Sequence, residues 1–216
     1  MQSEKEIREQ MCGIGRRVYE RGMAAANDGN FSVKISDHEI LCTPTGVSKG
    51  FMTPDMMCRI DENGNLLEAS GGCRPSSEMK MHLRVYQRRP DIKAVVHAHP
   101  PYATTFAAAG LPLDKPILTE AVVSLGTVPV TKFAAPSTDE VPDSLEPFLA
   151  DYDAVLLASH GALTYSDTLE AAYLKMESVE FYARILWQTM LIGGAEGFND
   201  EQMEKLNEVR RKMKTR

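Results

Sequence analysis

Apolar side chains recur at helical spacing in the first segment of the chain and then change to short strand-like runs. Within residues 4–27 they return every three to five positions, which predicts an amphipathic helix ending at the polar turn 28–30. Four short runs rich in apolar and β-branched residues follow, and a polar turn separates the members of each pair. They predict two hairpins, formed by strands 31–35 with 39–43 and 57–60 with 66–69.

The rest of the chain mixes helical and strand patterns. Apolar positions three or four residues apart predict helices at 76–89 and 102–109, and a longer series predicts an amphipathic helix over 169–190. A charged segment from residue 199 predicts a last helix. Short apolar runs predict strands at 94–99, 127–131 and 154–158.

The order of these elements predicts the fold class. Two hairpins come first, and later strands alternate with helices irregularly rather than in repeated strand–helix–strand units. This order favours an α/β fold with three layers, α/β/α, around a central and mainly antiparallel sheet. Neither an internal repeat nor a linker-like change of composition divides the chain, so residues 1–216 are expected to form a single domain.

Charge and composition exclude several classes of protein. Among 216 residues, 30 acidic side chains outnumber 24 basic ones, and the net charge of −6 argues against a nucleic-acid partner. No apolar run approaches the length of about 20 residues that spans a bilayer, so no membrane association is expected. The polar amino-terminal segment lacks a secretory core and the four cysteines form no C-x-x-C pair, which favours a cytoplasmic protein.

Three of the five histidines fall at the ends of predicted strands. His97 and His99 are two residues apart, so both side chains leave the same face of strand 94–99. A third histidine, His160, follows the end of strand 154–158. A lone pair of histidines is as often structural as metal-binding, but three imidazoles at strand ends form a coherent ligand set for a first-row metal ion.

A carboxylate is the expected fourth ligand. Glu78 lies in the first turn of predicted helix 76–89, where unpaired N–H groups and the helix dipole favour negative charge. A first-turn glutamate alone is usually part of a helix cap, but with three histidines it matches a catalytic zinc site that keeps an exchangeable position. His82 lies on the same helical face and could orient Glu78, with a purely structural role as an equal alternative.

Turns with small and hydroxyl-bearing residues indicate an anion site. Segments 29–32, 43–46 and 76–77 offer free backbone amides and hydroxyls, although each alone is ordinary turn chemistry. Neither a Walker-type nor a dinucleotide-binding glycine motif is present in the chain. The expected ligand is therefore a small phosphorylated metabolite rather than a nucleotide.

Five ordered motifs carry a resemblance to a known family. They are G-N-F-S at 29–32, T-P-T-G at 43–46, P-S-S-E-M-K-M-H at 75–82, A-V-V-H-A-H at 94–99 and S-H-G-A-L at 159–163. The set resembles the class II aldolase/adducin superfamily, in the branch of L-fuculose-1-phosphate aldolase and L-ribulose-5-phosphate 4-epimerase. The resemblance covers roughly residues 5–192 and is specific for the superfamily rather than for one substrate.

The resemblance implies a role for each matched residue. His97, His99 and His160 would bind one Zn²⁺ per subunit, with Glu78 as the fourth ligand in the resting site and as the catalytic proton shuttle once substrate displaces it from the metal. The phosphate-binding residues that it implies are Asn30, Thr45, Gly46, Ser76 and Ser77. It also implies the class II aldolase/adducin fold and a C4 homotetramer with active sites near subunit interfaces.

The implied reaction is zinc-dependent cleavage of a (deoxy)ketose 1-phosphate such as L-fuculose 1-phosphate to dihydroxyacetone phosphate and an aldehyde such as lactaldehyde. Fuculose-phosphate aldolases carry a tyrosine in the segment that matches residues 116–121, whereas this chain has Glu120 there. Glu120 is therefore a second candidate acid/base, with an exposed surface carboxylate as the alternative. Epimerase, dehydratase and decarboxylase chemistry are also open, and a non-catalytic adducin-like domain is a remote alternative because all four metal ligands are present.

Overall fold

The structure, a computed structural model, describes residues 2–214 and places helices on both faces of one sheet. The strands are β1 (Asn30–Lys34), β2 (Glu39–Cys42), β3 (Cys58–Asp61), β4 (Leu66–Glu68), β5 (Ala94–Ala98), β6 (Ala154–Leu157) and β7 (Gly161–Ser166). The helices are α1 (Glu4–Glu20), α2 (Met79–Arg88), α3 (Pro101–Ala109), α4 (Thr119–Ser124), α5 (Glu140–Leu145), α6 (Leu169–Leu191) and α7 (Asp200–Lys214). Within residues 2–214, no helix combines the length and the hydropathy needed to cross a membrane.

The seven strands form a single sheet in the order β4-β3-β2-β1-β5-β7-β6. Each pair of neighbouring strands runs antiparallel. The predicted α/β fold with a mainly antiparallel sheet is therefore confirmed.

Side chains of the sheet alternate between two apolar cores, one on each face. On β5, Ala94 and Val96 belong to the core that also contains Met11 of α1. Between them, Val95 belongs to the opposite core, together with Val85 of α2. This alternation follows from the two-residue period of a strand and produces the three predicted layers.

The first helix is shorter than its apolar pattern predicts. It ends at Glu20 rather than near residue 27, because Gly22 takes a left-handed conformation with φ of 67°. Met23 is nevertheless buried, at 4% exposure, because the turn after the helix returns it to the core. An apolar side chain beyond the helix end therefore extends the helical pattern without extending the helix.

The strand predicted at 127–131 is not formed, and β7 is formed without a predicted strand. Segment 127–131 makes only isolated bridges, Leu113 with Val128 and Val130 with Leu156. Strand β7 lies between β5 and β6, although the turn before it contains none of the glycine-rich pairs that mark hairpins. The short helices α4 and α5 also have no counterpart in the sequence pattern.

The strand register brings the sequence motifs to one end of the sheet. Asn30, the first residue of β1, pairs with His97 near the end of β5. On the other side of β5, Ala98 pairs with Ala162, so the turn that contains His160 lies beside them. Because neighbouring strands run in opposite directions, the start of β1, the end of β5 and the start of β7 meet at the same end.

A glycine lets the β6–β7 turn pack closely against β5. A Cβ atom added at Gly161 would lie 2.6 Å from the carbonyl oxygen of Ala98 and 2.6 Å from the ring of His99. Real Cβ atoms essentially never approach other heavy atoms this closely, so a larger residue must push apart the segments that hold the histidines.

We expect Gly161→Ala to lower the free energy of unfolding by about 1–3 kcal/mol, because the added methyl group has no room beside Ala98 and His99. Urea denaturation followed by circular dichroism measures the change. Gly13→Ala in α1 is the control, since nothing lies within 4 Å of its added Cβ. Alanine there should stabilise the helix by about 0.5–1 kcal/mol. Wild-type stability of the Gly161 variant would contradict the close packing.

Candidate active site

A polar cavity of about 200 Å³ lies at the end of the sheet where the motifs meet. The loops before β1, after β2 and before α2 form its wall together with the β6–β7 turn. Two predicted site residues, His97 and Gly46, are not part of the cavity lining. His97 is fully buried, and Gly46 directly follows the lining residue Thr45 with a left-handed φ of 72°. The predicted site residues that line the cavity are Asn30, Thr45, Ser76, Ser77, Glu78, His99 and His160.

Three imidazole rings surround one point in the cavity. The ring centroids of His97, His99 and His160 lie 4.7 to 4.9 Å apart. The Nε2 atoms of His97 and His99 are separated by 3.0 Å. One nitrogen from each ring lies within 4.8 Å of the others, so this cluster could hold a metal ion.

Hydrogen bonds on the far side of two rings hold those rings in place. His97 Nδ1 is 3.0 Å from the carbonyl oxygen of Ala162, which can only accept, so this nitrogen carries the proton and Nε2 is left with its lone pair. His99 Nδ1 lies 3.3 Å from Asp28 Oδ2. Such partners for the outer nitrogens are usual for histidines that bind metals.

Glu78 faces the histidines from the start of α2. Its Oε1 atom is 3.2 Å from His160 Nε2 and its Oε2 atom is 3.4 Å from His97 Nε2. Glu78 is the N-cap of α2, not a residue of its first turn as the sequence predicts, because the helix begins only at Met79. A tetrahedral ion with bonds of about 2.05 Å keeps its ligand atoms about 3.3 Å apart, so the donor spacing fits such an ion.

Burial and pairing favour the protonation states that metal binding requires. Burial acts to raise the pKa of Glu78, but its hydrogen bond with His160 and its attraction to His97 outweigh burial and hold that pKa below its usual value. Burial lowers the pKa of both His97 and His99. At neutral pH the site therefore presents an ionised Glu78 beside the neutral imidazoles of His97 and His99, the forms that bind a metal ion.

His82 is joined to Glu78 through Asn30. Asn30 Nδ2 donates to Glu78 Oε2 at 2.6 Å, so Asn30 Oδ1 is the atom that accepts from His82 Nε2 at 2.7 Å. His82 Nδ1 must then accept, and Ser32 Oγ donates to it at 2.7 Å. Tyr86 completes the chain at 2.8 Å from Ser32 Oγ. Burial lowers the pKa of His82 to about 3, which keeps its ring neutral.

The two loops of the predicted phosphate site are paired with each other. Thr45 N donates to the carbonyl oxygen of Arg74 at 2.8 Å, so the T-P-T-G loop lies against the segment that leads into α2. Ser76 Oγ accepts from the backbone N–H of Glu78 at 3.3 Å. Asn30 already donates one amide hydrogen to Glu78, which leaves only its second amide hydrogen for a ligand.

Several residues of the cavity are absent from the sequence-based site, and Lys49 and Ser137 are two of them. Lys49 is buried and lines the cavity three residues after Gly46. The sequence gives no signal for this role, because a lysine near a glycine-containing turn is common. Ser137 Oγ donates to Ser77 Oγ at 2.9 Å from a distant loop. Its φ of 65° is left-handed, a costly conformation for a residue other than glycine, and no periodicity signals it.

Glu120 lies outside the cavity of its own chain. It is exposed on α4 and lines a separate groove with Phe181 and Tyr182 of α6. A hydrogen bond from Thr119 Oγ1 lowers the pKa of Glu120, so its carboxylate is ionised at neutral pH. Within one chain, the structure therefore brings together every predicted site residue around the histidines except Glu120.

The sequence matches the family described as the Class II Aldolase and Adducin N-terminal domain over residues 9–187. This chain belongs to that family. The resemblance carried by the five motifs is thereby confirmed, and in class II aldolases such a histidine cluster typically serves a metal-dependent reaction.

Similar class II aldolase-family proteins carry the names of different reactions. The chain is 31% identical over 188 residues to a 3-oxo-tetronate 4-phosphate decarboxylase of Escherichia coli O6:H1, covering 85% of this chain and 87% of that one. It is 31% identical over 202 residues to a 5-deoxy-D-ribulose 1-phosphate aldolase of Bacillus thuringiensis serovar kurstaki, covering 92% of each. A solved L-fuculose 1-phosphate aldolase superposes with a TM-score of 0.85 at 30% identity, covering 97% of this chain and 96% of that one.

We expect His82→Leu to destabilise the protein by about 1–3 kcal/mol, because the change leaves Asn30 and Ser32 with unpaired buried polar atoms. Since Asn30 then no longer holds Glu78, metal affinity should also fall, by about 10- to 100-fold. Urea denaturation and titration with a metal-ion chelator measure the two effects. His38→Leu is the control, because the His38 side chain is 79% exposed. The free energy of unfolding of this variant should stay within about 0.5 kcal/mol of the wild-type value. Unchanged metal affinity in His82→Leu would contradict the link to Glu78.

Proposed function

We propose that this protein is a Zn²⁺-dependent class II aldolase that reversibly cleaves a (deoxy)ketose 1-phosphate such as L-fuculose 1-phosphate. The products would be dihydroxyacetone phosphate and an aldehyde such as lactaldehyde. One observation carries the proposal, namely that the hydroxyl-bearing loop residues Thr45, Ser76 and Ser77 line the same cavity as the metal-ligand candidates. A phosphate held by these loops would place the neighbouring carbons of the substrate beside Glu78 and the histidines.

The proposed cofactor is one Zn²⁺ per subunit, held by His97, His99, His160 and Glu78. Three neutral imidazoles and one carboxylate suit zinc, and other first-row ions bind similar donors. When bound, the ion would act as a Lewis acid that stabilises negative charge on the oxygen of the substrate carbonyl.

The proposed phosphate subsite orients the substrate. Backbone amides and hydroxyls are good partners for phosphate oxygens, especially before the first turn of a helix such as α2. Anchoring the phosphate would restrict the substrate and hold the C3–C4 bond in one place. The residues proposed for this subsite are Asn30, Thr45, Gly46, Ser76 and Ser77.

Cleavage requires two proton transfers, and carboxylates are proposed for both. The C4 hydroxyl loses its proton as C4 becomes the aldehyde, whereas C3 of the remaining three-carbon enediolate gains a proton. In cleavage, Glu78 is proposed to take up a proton from water and deliver it to C3, and in the reverse reaction its ionised carboxylate, which lies beside His97 and His160, removes that proton. Asn30 and His82 would act as positioning residues that keep the carboxylate of Glu78 in one orientation.

Glu120 is proposed to act on the C4 hydroxyl in the active site of a neighbouring subunit. It shares a groove with Leu174 and Phe181 of α6, which are 46% and 62% exposed. An apolar face of this kind is suited to burial against another copy of the chain. Assembly into a homotetramer would then supply the second acid/base that each single chain leaves outside its cavity.

Decarboxylation is the second candidate, because the Escherichia coli relative is named a 3-oxo-tetronate 4-phosphate decarboxylase. Loss of the carboxylate from such a β-keto acid and cleavage of a ketose 1-phosphate leave the same enediolate of dihydroxyacetone phosphate. One metal site could therefore serve either reaction, but decarboxylation needs no base at a C4 hydroxyl. Epimerisation, dehydration and a non-catalytic adducin-like role are further alternatives that no described contact favours.

The proposal includes a small sugar phosphate as the only non-protein partner besides the metal ion, and a cytoplasmic location. A net charge of −6 supports the exclusion of nucleic acid. The four cysteines are free thiols, as is usual in a reducing compartment.

Chelation is expected to abolish the reaction. Purified protein incubated with L-fuculose 1-phosphate should release dihydroxyacetone phosphate, measured by its coupled reduction with NADH. Removal of the metal ion should stop the release, and Zn²⁺ should restore it. His97→Ala should lose both bound metal and activity, whereas His38→Ala, at an exposed turn, should keep both. Product release that survives chelation and His97→Ala would contradict the proposed mechanism.

The choice of substrate separates the candidate reactions. Release of dihydroxyacetone phosphate from L-fuculose 1-phosphate or 5-deoxy-D-ribulose 1-phosphate supports the aldolase. Release of carbon dioxide from 3-oxo-tetronate 4-phosphate, with no cleavage of either ketose 1-phosphate, would show that the protein is a decarboxylase and not an aldolase. Conversion of L-ribulose 5-phosphate without release of a three-carbon product would indicate the epimerase.

Glu120→Gln is expected to keep the fold and the bound metal while lowering kcat by about 10²- to 10⁴-fold, the usual contribution of a general acid/base. Metal analysis and the cleavage assay measure the two properties. Glu204→Gln, at an exposed position of α7, is the control and should have wild-type activity. Full activity in Glu120→Gln would remove Glu120 from the mechanism.

A further inference from the structure

A buried lysine lies behind the loops proposed to hold the phosphate. Lys49 is only 2% exposed, and it lines the cavity together with Thr45 and Ser76. Among the described residues that line this cavity, Lys49 is the single lysine or arginine, whereas Asp28 and Glu78 contribute carboxylates. Any fixed positive charge that the cavity's own side chains offer to an anion at neutral pH must therefore come from Lys49.

Two of the three ammonium hydrogens of Lys49 are used within the protein. Nζ donates to the carbonyl oxygen of Asn27 at 3.0 Å and to that of Val47 at 2.7 Å. Asn27 belongs to the loop before β1 and Val47 directly follows the T-P-T-G loop, so the ammonium group lies between the two loops. An ammonium group has a third donor hydrogen, and no hydrogen bond of the described residues accounts for it.

Close packing fixes the turn that carries Lys49. A Cβ atom added at Gly15 of α1 would lie 2.5 Å from the carbonyl oxygen of Lys49. One added at Gly50 would lie 2.6 Å from the ring of Tyr19, also in α1. Two glycines therefore let the turn Lys49–Phe51 lie directly against the helix, which sets the position of the lysine backbone.

The charge of Lys49 is incompletely compensated in the structure. Within residues 2–214 no carboxylate forms an ion pair with it. Burial lowers the pKa of Lys49 to about 8, and the more distant carboxylates of Asp28 and Glu78 only partly oppose this effect. A buried cation without a close counter-ion is costly, and an anionic ligand would reduce that cost.

We propose that Lys49 binds the phosphate group of the substrate and selects phosphate monoesters over ligands without a dianionic group. This inference rests on the proposed function, because it supplies the charge partner for the phosphate of the sugar. A phosphate oxygen would accept the third hydrogen of Nζ and neutralise the buried ammonium group. The hydroxyls of Ser76 and Ser77 would then recognise the shape of the phosphate, while Lys49 would recognise its charge.

Binding of inorganic phosphate to the metal-loaded full-length protein tests this inference by isothermal titration calorimetry. Lys49→Gln should weaken phosphate binding by about 10- to 100-fold, the usual loss for a buried charge-assisted hydrogen bond. Lys34→Gln is the matched control, because Lys34 lines a different cavity, and it should bind phosphate as the wild type does. In the cleavage assay, Lys49→Gln should raise KM for the sugar phosphate while kcat and zinc content stay within about twofold.

Each outcome has a defined consequence. Wild-type phosphate affinity in a folded, zinc-loaded Lys49→Gln protein overturns the assignment of Lys49 and leaves the aldolase proposal intact. If the wild type cleaves a sugar phosphate but binds no phosphate, only the assignment of Lys49 is overturned; if the wild type does neither, both proposals are overturned. If Lys49→Gln does not fold, a crystal structure of the wild type with phosphate decides the matter. Nζ within about 3.2 Å of a phosphate oxygen supports the assignment, and Nζ bonded only to Asn27 and Val47 overturns it.

Discussion

Grouping three imidazoles and one ionised carboxylate around a single point is the constraint on which the rest of the site depends. The nitrogens of His97 and His99 face each other at 3.0 Å, and the carboxylate of Glu78 lies 3.4 Å from His97 and 3.2 Å from His160. The surrounding hydrogen bonds hold these side chains in an arrangement that could bind a metal ion.

Antiparallel pairing makes this arrangement rigid. The pairing of Asn30 with His97 places the amide that orients Glu78 beside a histidine from the neighbouring strand. A buried series of hydrogen bonds then links α2 to β1, and the donor and acceptor of each bond are determined. The side chains in this series are Tyr86, Ser32, His82 and Asn30. The position of the carboxylate thus depends on the core of the sheet rather than on a surface loop.

Strain is concentrated around the cavity. The non-glycine residues with positive φ in residues 2–214 are Ala26, Ser137 and Ser159. Ser159 precedes His160, Ala26 precedes the loop that contains Asn27, and Ser137 bonds to Ser77. Such conformations cost roughly 1–3 kcal/mol each and persist where the surrounding structure imposes them, which is typical of functional sites.

The sequence by itself determined the layered α/β architecture, the family and the candidate cluster of three histidines with Glu78, because strand periodicity and five ordered motifs are local signals. It placed Glu78 within one residue of its observed helix position and His82 on the correct face of α2. Only the tertiary structure decided that His82 is joined to Glu78 through Asn30, that Lys49 and Ser137 enter the cavity, and that Glu120 lies outside it. These facts depend on contacts between segments dozens of residues apart, and no spacing along one helix or strand encodes such contacts.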